Sequence, residues 1–232
     1  MLIRSELMML EMLLQANWER PIFIAISVGS DNMLGMEDHF IQEGLAYRFT
    51  PFSSKETGVK IDSERMYDNL MHKFKFGGLE APGLYIDENL SRMCMSLRRV
   101  FSLLINQLMK EGKTDKAREV LRYADEHIPT YNIPYDYQNG ALDMADAWYQ
   151  LEEKQEGDRI ADALANKEVE YITWYLSLSD YHLTLTQDNC EYHLALLDRI
   201  VKSLKAYESP LAANYEDKLD ELYEIYVGRI ES

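Results

Sequence analysis

Apolar residues recur along this chain with two different periods, and the change of period divides it. Over residues 2–16, Leu7, Leu10, Leu14 and the neighbouring methionines fall on one side of a helix, with Asn17 as its stop. Pro21 then opens a short run over residues 22–28, β-branched and apolar on both faces, which predicts a buried strand ending at Gly29. A second strand is expected over residues 46–52, with a short helix over 36–43 between the two. Two strands alone are marginally stable, so this lobe must pack on helices or on further chain. Asp62 is the cap of a helix over 62–74 that carries Met66, Leu70 and Phe74 on one face. Gly77, Gly78, Pro82 and Gly83 punctuate a linker, which places the lobe boundary near Ala81.

From Asp87 onward the helical period takes over. Leu97, Val100, Phe101, Leu104, Ile105 and Leu108 recur at three- and four-residue steps, Gly112 makes a turn, Ala117, Leu121 and Ala124 line a second helix, and Pro129 ends it. This is the register of a tetratricopeptide repeat, about 34 residues long. The residue types have physical reasons: Ala117 is small enough to let two helices approach, and Gly112 can adopt the left-handed conformation a helix end often needs. A weaker copy follows 40 residues later (157 minus 117), with Ala141, Ala145, Trp148 and Tyr149 on its first helix and Gly157, Ala161 and Leu164 on its second. Glu152 stands where the turn glycine stood, which predicts a less regular turn. Further helices are expected over 168–187, rich in Tyr171, Trp174, Tyr175 and Tyr181, and over 189–207 and 212–230, extending or capping the array. The fold class is therefore mainly α (α+β): a small amino-terminal α/β lobe over 1–81, then tetratricopeptide-like antiparallel helix hairpins over 82–232.

Composition narrows the partners. The net charge is −16, from 24 Lys and Arg against 40 Asp and Glu. Such a surface repels phosphates, which speaks against nucleic acid, and it repels anionic lipid heads. No stretch reaches about 18 uncharged apolar residues, so membrane insertion by this chain is not expected. Arg4, Glu6 and Glu11 interrupt the apolar start, which makes a poor export signal. Cys94 and Cys190 form neither a disulfide framework nor a zinc spacing.

No constellation specific for catalysis emerges, and no catalytic residue, cofactor or metal is assigned. Gly77-Gly78 is followed by Leu79-Glu80 and lacks the lysine of a phosphate loop. Asp180, His182, Asp188, Cys190 and His193 are spaced too loosely for zinc, and Glu37, Asp38 and Glu43 near Arg48 read as a solvated face with one salt bridge. The candidate binding surface is aromatic: Tyr131, Tyr135, Tyr137, Trp148 and Tyr149 cluster around the repeat junction, and Trp18 with Arg20 suggests a stacking or sugar platform. For both groups, packing in the core is the competing reading.

Several long words resemble a known family: Asn17-Trp18-Glu19-Arg20-Pro21-Ile22-Phe23, Leu34-Gly35-Met36-Glu37-Asp38, Glu43-Gly44-Leu45-Ala46-Tyr47-Arg48, Met66-Tyr67-Asp68-Asn69-Leu70-Met71, Tyr85-Ile86-Asp87-Glu88-Asn89 and Pro134-Tyr135-Asp136-Tyr137. The chain is similar to the carboxy-terminal region of uncharacterised Gram-negative bacterial membrane proteins. Their amino-terminal multi-spanning domain resembles protein O-mannosyltransferases of the GT-C type. The resemblance implies a region beside a membrane, on its periplasmic side, whose glycosyltransferase-like chemistry resides in a domain this sequence lacks. The functional expectation is a non-catalytic scaffold that docks a partner protein or positions a glycan acceptor. A free-standing peptide-binding scaffold and a carbohydrate-binding lobe are the alternatives.

Overall fold

The computed structural model describes residues 4–33 and 35–230, so the expected helix start at residues 2–3 and Leu34 lie outside the described residues. The chain forms two compact units, Met1–Gly77 and Gly78–Ser232, and it is mainly helical with one small sheet.

In the first unit, α1 (Arg4–Ala16) exposes Leu7, Met8, Met12 and Leu14. Two left-handed residues, Asn17 (φ 44°) and Trp18 (φ 61°), end it abruptly. Strands β1 (Phe23–Ala25), β2 (Phe40–Gln42) and β3 (Ala46–Phe49) form an antiparallel sheet in the order β1-β3-β2, with Ile24 opposite Tyr47 and Ile41 opposite Arg48. Two expectations are corrected here. The strand over 22–28 is only three residues long and is not buried, because β1 is an edge strand whose Phe23 and Ala25 face outward. The helix over 36–43 is instead a 3₁₀ turn, Glu37–His39, leading into β2. Phe40 and Gln42 bury on one face of that strand, and the Gln42 backbone also bridges the Lys60–Asp62 segment. Helices α2 (Ser54–Thr57) and α3 (Ser63–Asp68) follow. The Asp62 carboxylate accepts the Arg65 N–H at 3.1 Å as the α3 cap. The last turn widens into a π-helix, Asn69–Lys73, which buries Leu70 and Met71.

The second unit is built from α4 (Glu88–Lys110), α5 (Thr114–His127), α6 (Ala141–Gln150), α7 (Lys154–Leu176), α8 (Asp180–Leu185), α9 (Gln187–Ala206) and α10 (Ala212–Ile230). The helices pack in sequential pairs, α4 with α5, α6 with α7 and α9 with α10, and α6 and α9 each pack also on the preceding pair. Short connections make each pair antiparallel. The helix expected over 168–187 is corrected: no breaker falls between Ala165 and Leu176, so α7 runs through for 23 residues and the break comes at Ser177–Ser179 before α8.

The three hairpin turns share one hydrogen-bond pattern. Lys113 N–H donates to the Leu108 carbonyl and Gly112 N–H to that of Met109; Glu153 donates to Trp148 and Glu152 to Tyr149; Ser209 donates to Leu204 and Glu208 to Lys205. The residue at the bend is left-handed in all three, at φ 71° for Gly112, 63° for Glu152 and 55° for Glu208. The turn at Glu152 is thus as regular as the one at Gly112, and glutamate bears the steric cost. A non-glycine residue in that region costs about 1–2 kcal/mol, part of which glycine returns as unfolded-chain entropy. Glu152→Gly and Glu208→Gly are each expected to raise stability by about 0.5–1 kcal/mol, additively because the turns are separate. Urea midpoints of the two single variants and the double variant check this.

Candidate functional site

One face of α7 carries a polar and aromatic stripe. Lys167, Glu170, Tyr171, Trp174 and Tyr175 fall at i, i+3, i+4, i+7 and i+8, which is one side of a helix. They line an open cavity of about 460 Å³. Trp174 is 55% exposed and Tyr171 41%, a large apolar area left in water. The Trp174 and Tyr175 rings meet nearly edge to face, 4.8 Å between centroids at 70°, and so form two walls of a corner.

The stripe rests on a buried polar support. Toward its N-terminus the same side of the helix is buried, through Gly157, Ile160, Ala161 and Leu164, so the stripe continues that seam beyond the part that is covered. Between Leu164 and Tyr171 along this seam, Glu168 is 2% exposed, and its Oε2 lies 2.6 Å from Nδ1 of His193 on α9. Burial pushes the Glu168 carboxyl above the ordinary range, against the lowering effect of its contact with His193. The His193 ring stacks on Tyr171 at 4.5 Å and lies 5.7 Å from Tyr175, with Tyr192 edge-on at 5.3 Å. The loop before α6 closes one side: Lys167 Nζ pairs with Asp136 Oδ2 at 2.5 Å and lies 5.8 Å from the Tyr171 centroid. The aromatic rings are therefore held in place before any ligand arrives, which lowers the entropic cost of binding.

The residues singled out from the sequence separate into different environments. Tyr135, Trp148 and Tyr149 are 5%, 1% and 4% exposed, so as a binding surface they are corrected: they pack between hairpins. Tyr135 donates to Asp125 Oδ1 at 2.6 Å, and Tyr149 donates to Asp158 Oδ1 at 2.7 Å. Tyr137 is half-buried and accepts from Arg199 at 2.7 Å, while exposed Tyr131 donates to the Glu80 carbonyl. In the first unit Trp18 is 61% exposed and stacks on Phe49 at 5.4 Å and 9°. Trp18, Arg20, Pro21, Arg48 and Phe49 line a cavity of about 340 Å³.

The remaining clusters disperse. Glu43 is buried against Arg48 (2.5 Å) and Arg65 (3.2 Å), and Asp38 pairs with Lys55. Asp180 pairs with Arg229, His182 Nδ1 lies 2.8 Å from Ser179 Oγ, and Cys190 sits in the core. Among the described residues no three His, Cys, Asp or Glu side chains converge as metal ligands. The α7 stripe was visible as an aromatic-rich helix, but its use as a site required the helix phase, which an expected break near residue 168 concealed.

Three comparisons bear on these units. The family model described as TMEM260-associated domain 2 matches residues 1–69, so the first unit is similar to an accessory domain of a membrane protein. No curated protein matches the chain, and no solved structure matches it. Among the described residues no helix is long and apolar enough to cross a membrane.

Proposed function

We propose that this chain is a non-catalytic accessory module of a membrane protein, and that the α7 stripe with its α9 support docks an extended segment of a partner polypeptide. The observation that carries the reading is the exposed Tyr171 and Trp174, with half-buried Tyr175 beside them, backed by buried Glu168 and its partner His193. Large rings held rigidly at low conformational cost are what interfaces use as anchors. The similarity of residues 1–69 to a TMEM260-associated domain supports attachment to a membrane protein. The resemblance to bacterial proteins with an O-mannosyltransferase-like domain supports a finer placement: on the periplasmic side, beside a glycosyltransferase-like membrane domain, with the paired helices acting as a tetratricopeptide-like scaffold.

Panning a displayed random-peptide library on the chain tests the docking surface. Enriched peptides are expected to lose about 10-fold in affinity on Trp174→Ala and more on Trp174→Ala with Tyr171→Ala, since anchor truncations cost about 1–3 kcal/mol. Peptides that bind both variants as well as the parent chain would refute this surface. A second reading rests on the Trp18 cavity: an exposed indole stacked on Phe49, with Arg20 in the same lining, is a platform for a sugar ring. A glycan array on which Trp18→Ala abolishes binding, with Trp174→Ala neutral, would favour it.

A further inference from the structure

The docking surface combines aromatic walls with unbalanced negative charge. Its two basic and acidic lining residues are not equivalent. Lys167 is already neutralised by Asp136 at 2.5 Å. Glu170, exposed at the cavity's edge, makes no ion pair among the described residues. The whole chain carries −16, so no surplus of positive charge offsets it. The nearest mobile ligand drawn to such a place is a cation.

The rings suit a cation as well. Aromatic faces carry negative quadrupole density and attract ammonium or guanidinium groups within about 6 Å of the centroid. The protein already shows this at the same site: the Lys167 ammonium lies 5.8 Å from the Tyr171 centroid. Trp174 offers the best face of the three, and its near-perpendicular contact with Tyr175 makes a two-walled corner. A side chain entering that corner could stack its apolar stem on the indole and leave its charged head to Glu170. Arginine fits both demands, because its flat guanidinium stacks on aromatic faces and forks onto a carboxylate.

Resting on the docking reading above, we propose that the occupant of this surface is a polypeptide segment bearing an arginine or lysine, whose cationic side chain seats in the Trp174–Tyr175 corner beside Glu170.

The test compares a blocked tri-arginine peptide with its tri-citrulline counterpart, which keeps the planar shape and loses the charge. Titrations follow the backbone amide signals of α7 by NMR, a probe that Trp174→Ala keeps, at about 150 mM salt, where diffuse attraction is largely screened. The arginine peptide is expected to bind about 10-fold tighter than the citrulline peptide, and Glu170→Gln and Trp174→Ala are each expected to lose about 5-fold or more. Asp115→Asn, a carboxylate 99% exposed on α5, controls for bulk charge and is expected to change affinity less than about 2-fold. Both site residues are exposed, so circular dichroism of the variants is expected to match that of the parent chain. Equal binding of the two peptides, or equal loss on Asp115→Asn and Glu170→Gln, overturns the cation seat. If library peptides without Arg or Lys still bind in a Trp174-dependent way, the docking surface stands and only its ligand chemistry falls. If nothing binds through Trp174, both fall.

Discussion

Replacing Arg98 by methionine is expected to destabilise the helical unit by about 3 kcal/mol, the sum of two orphaned carbonyls and a lost cation–π contact. Arg98 is 1% exposed, in the middle of α4. Its Nη2 donates to the carbonyls of Ile128 (2.5 Å) and Ile133 (2.7 Å), and its guanidinium lies 4.5 Å from the Tyr135 centroid. These contacts tie down the irregular connection between α5 and α6, whose backbone cannot satisfy itself as a helix does. Burial pulls the Arg98 guanidinium below its usual range, and its Nε and Nη1 find no partner among the described residues. Burying this cation is therefore costly, and an apolar replacement relieves that cost. The relief is outweighed because the partners are two carbonyls that stay behind. Each unsatisfied group costs about 1–3 kcal/mol. In a unit of this size the loss corresponds to a fall in melting temperature of roughly 10 °C, read by calorimetry. Arg98→Lys restores one donor and should recover part of it. A methionine variant as stable as the parent would mean that the connection is held by its apolar residues, Ile128 and Ile133, alone.

The same cluster shows what the sequence could and could not reveal. The α4 phase was legible, because Val100, Phe101, Leu104, Ile105 and Leu108 repeat at helical steps and are all buried. Within that pattern Arg98 reads as a solvent-facing residue, since arginine is rarely buried, and its carbonyl partners lie 30 and 35 residues away. The aromatic junction misled for a related reason: tyrosine and tryptophan suit cores and surfaces alike. A usable signal was present, because Trp148 occupies the position of buried Leu108 at the 40-residue offset. Strand β2 was illegible because three residues cannot display alternation, and its bridge to Ile61 depends on chain 19 residues further on (61 minus 42). The caps at Asp62 and Asp87 were local chemistry: Asp62 was read correctly as a helix start, and Asp87 marked where the helical pattern begins. The bend at Glu208 escaped notice because no glycine marks its left-handed backbone in the sequence.

Gly157→Ala tests whether the second hairpin is a copy of the first in detail. In a helix interior this substitution normally stabilises by about 1 kcal/mol. Here it is expected to destabilise by about 2 kcal/mol, because an added Cβ would lie 2.7 Å from Cδ1 and Cε1 of the Tyr149 ring. The ring cannot yield easily. It is 4% exposed, stacks on Tyr207 at 4.7 Å and is anchored through its hydroxyl to Asp158. In the first hairpin the equivalent position is Ala117, which is fully buried, and the residue equivalent to Tyr149 is the flexible, half-buried Met109. The two hairpins thus differ in size at one pair of equivalent positions: alanine and methionine in the first, glycine and tyrosine in the second. Restoring the first pairing in the second hairpin should restore compatibility. Tyr149→Met alone is expected to cost about 2 kcal/mol through lost packing and the lost hydroxyl contact. Combined with Gly157→Ala, the total should fall short of the sum by about 1–2 kcal/mol, a coupling that urea denaturation of the four proteins measures directly. Strict additivity would mean that the tyrosine ring moves aside at no cost, and that the close approach of α6 and α7 is set by other residues.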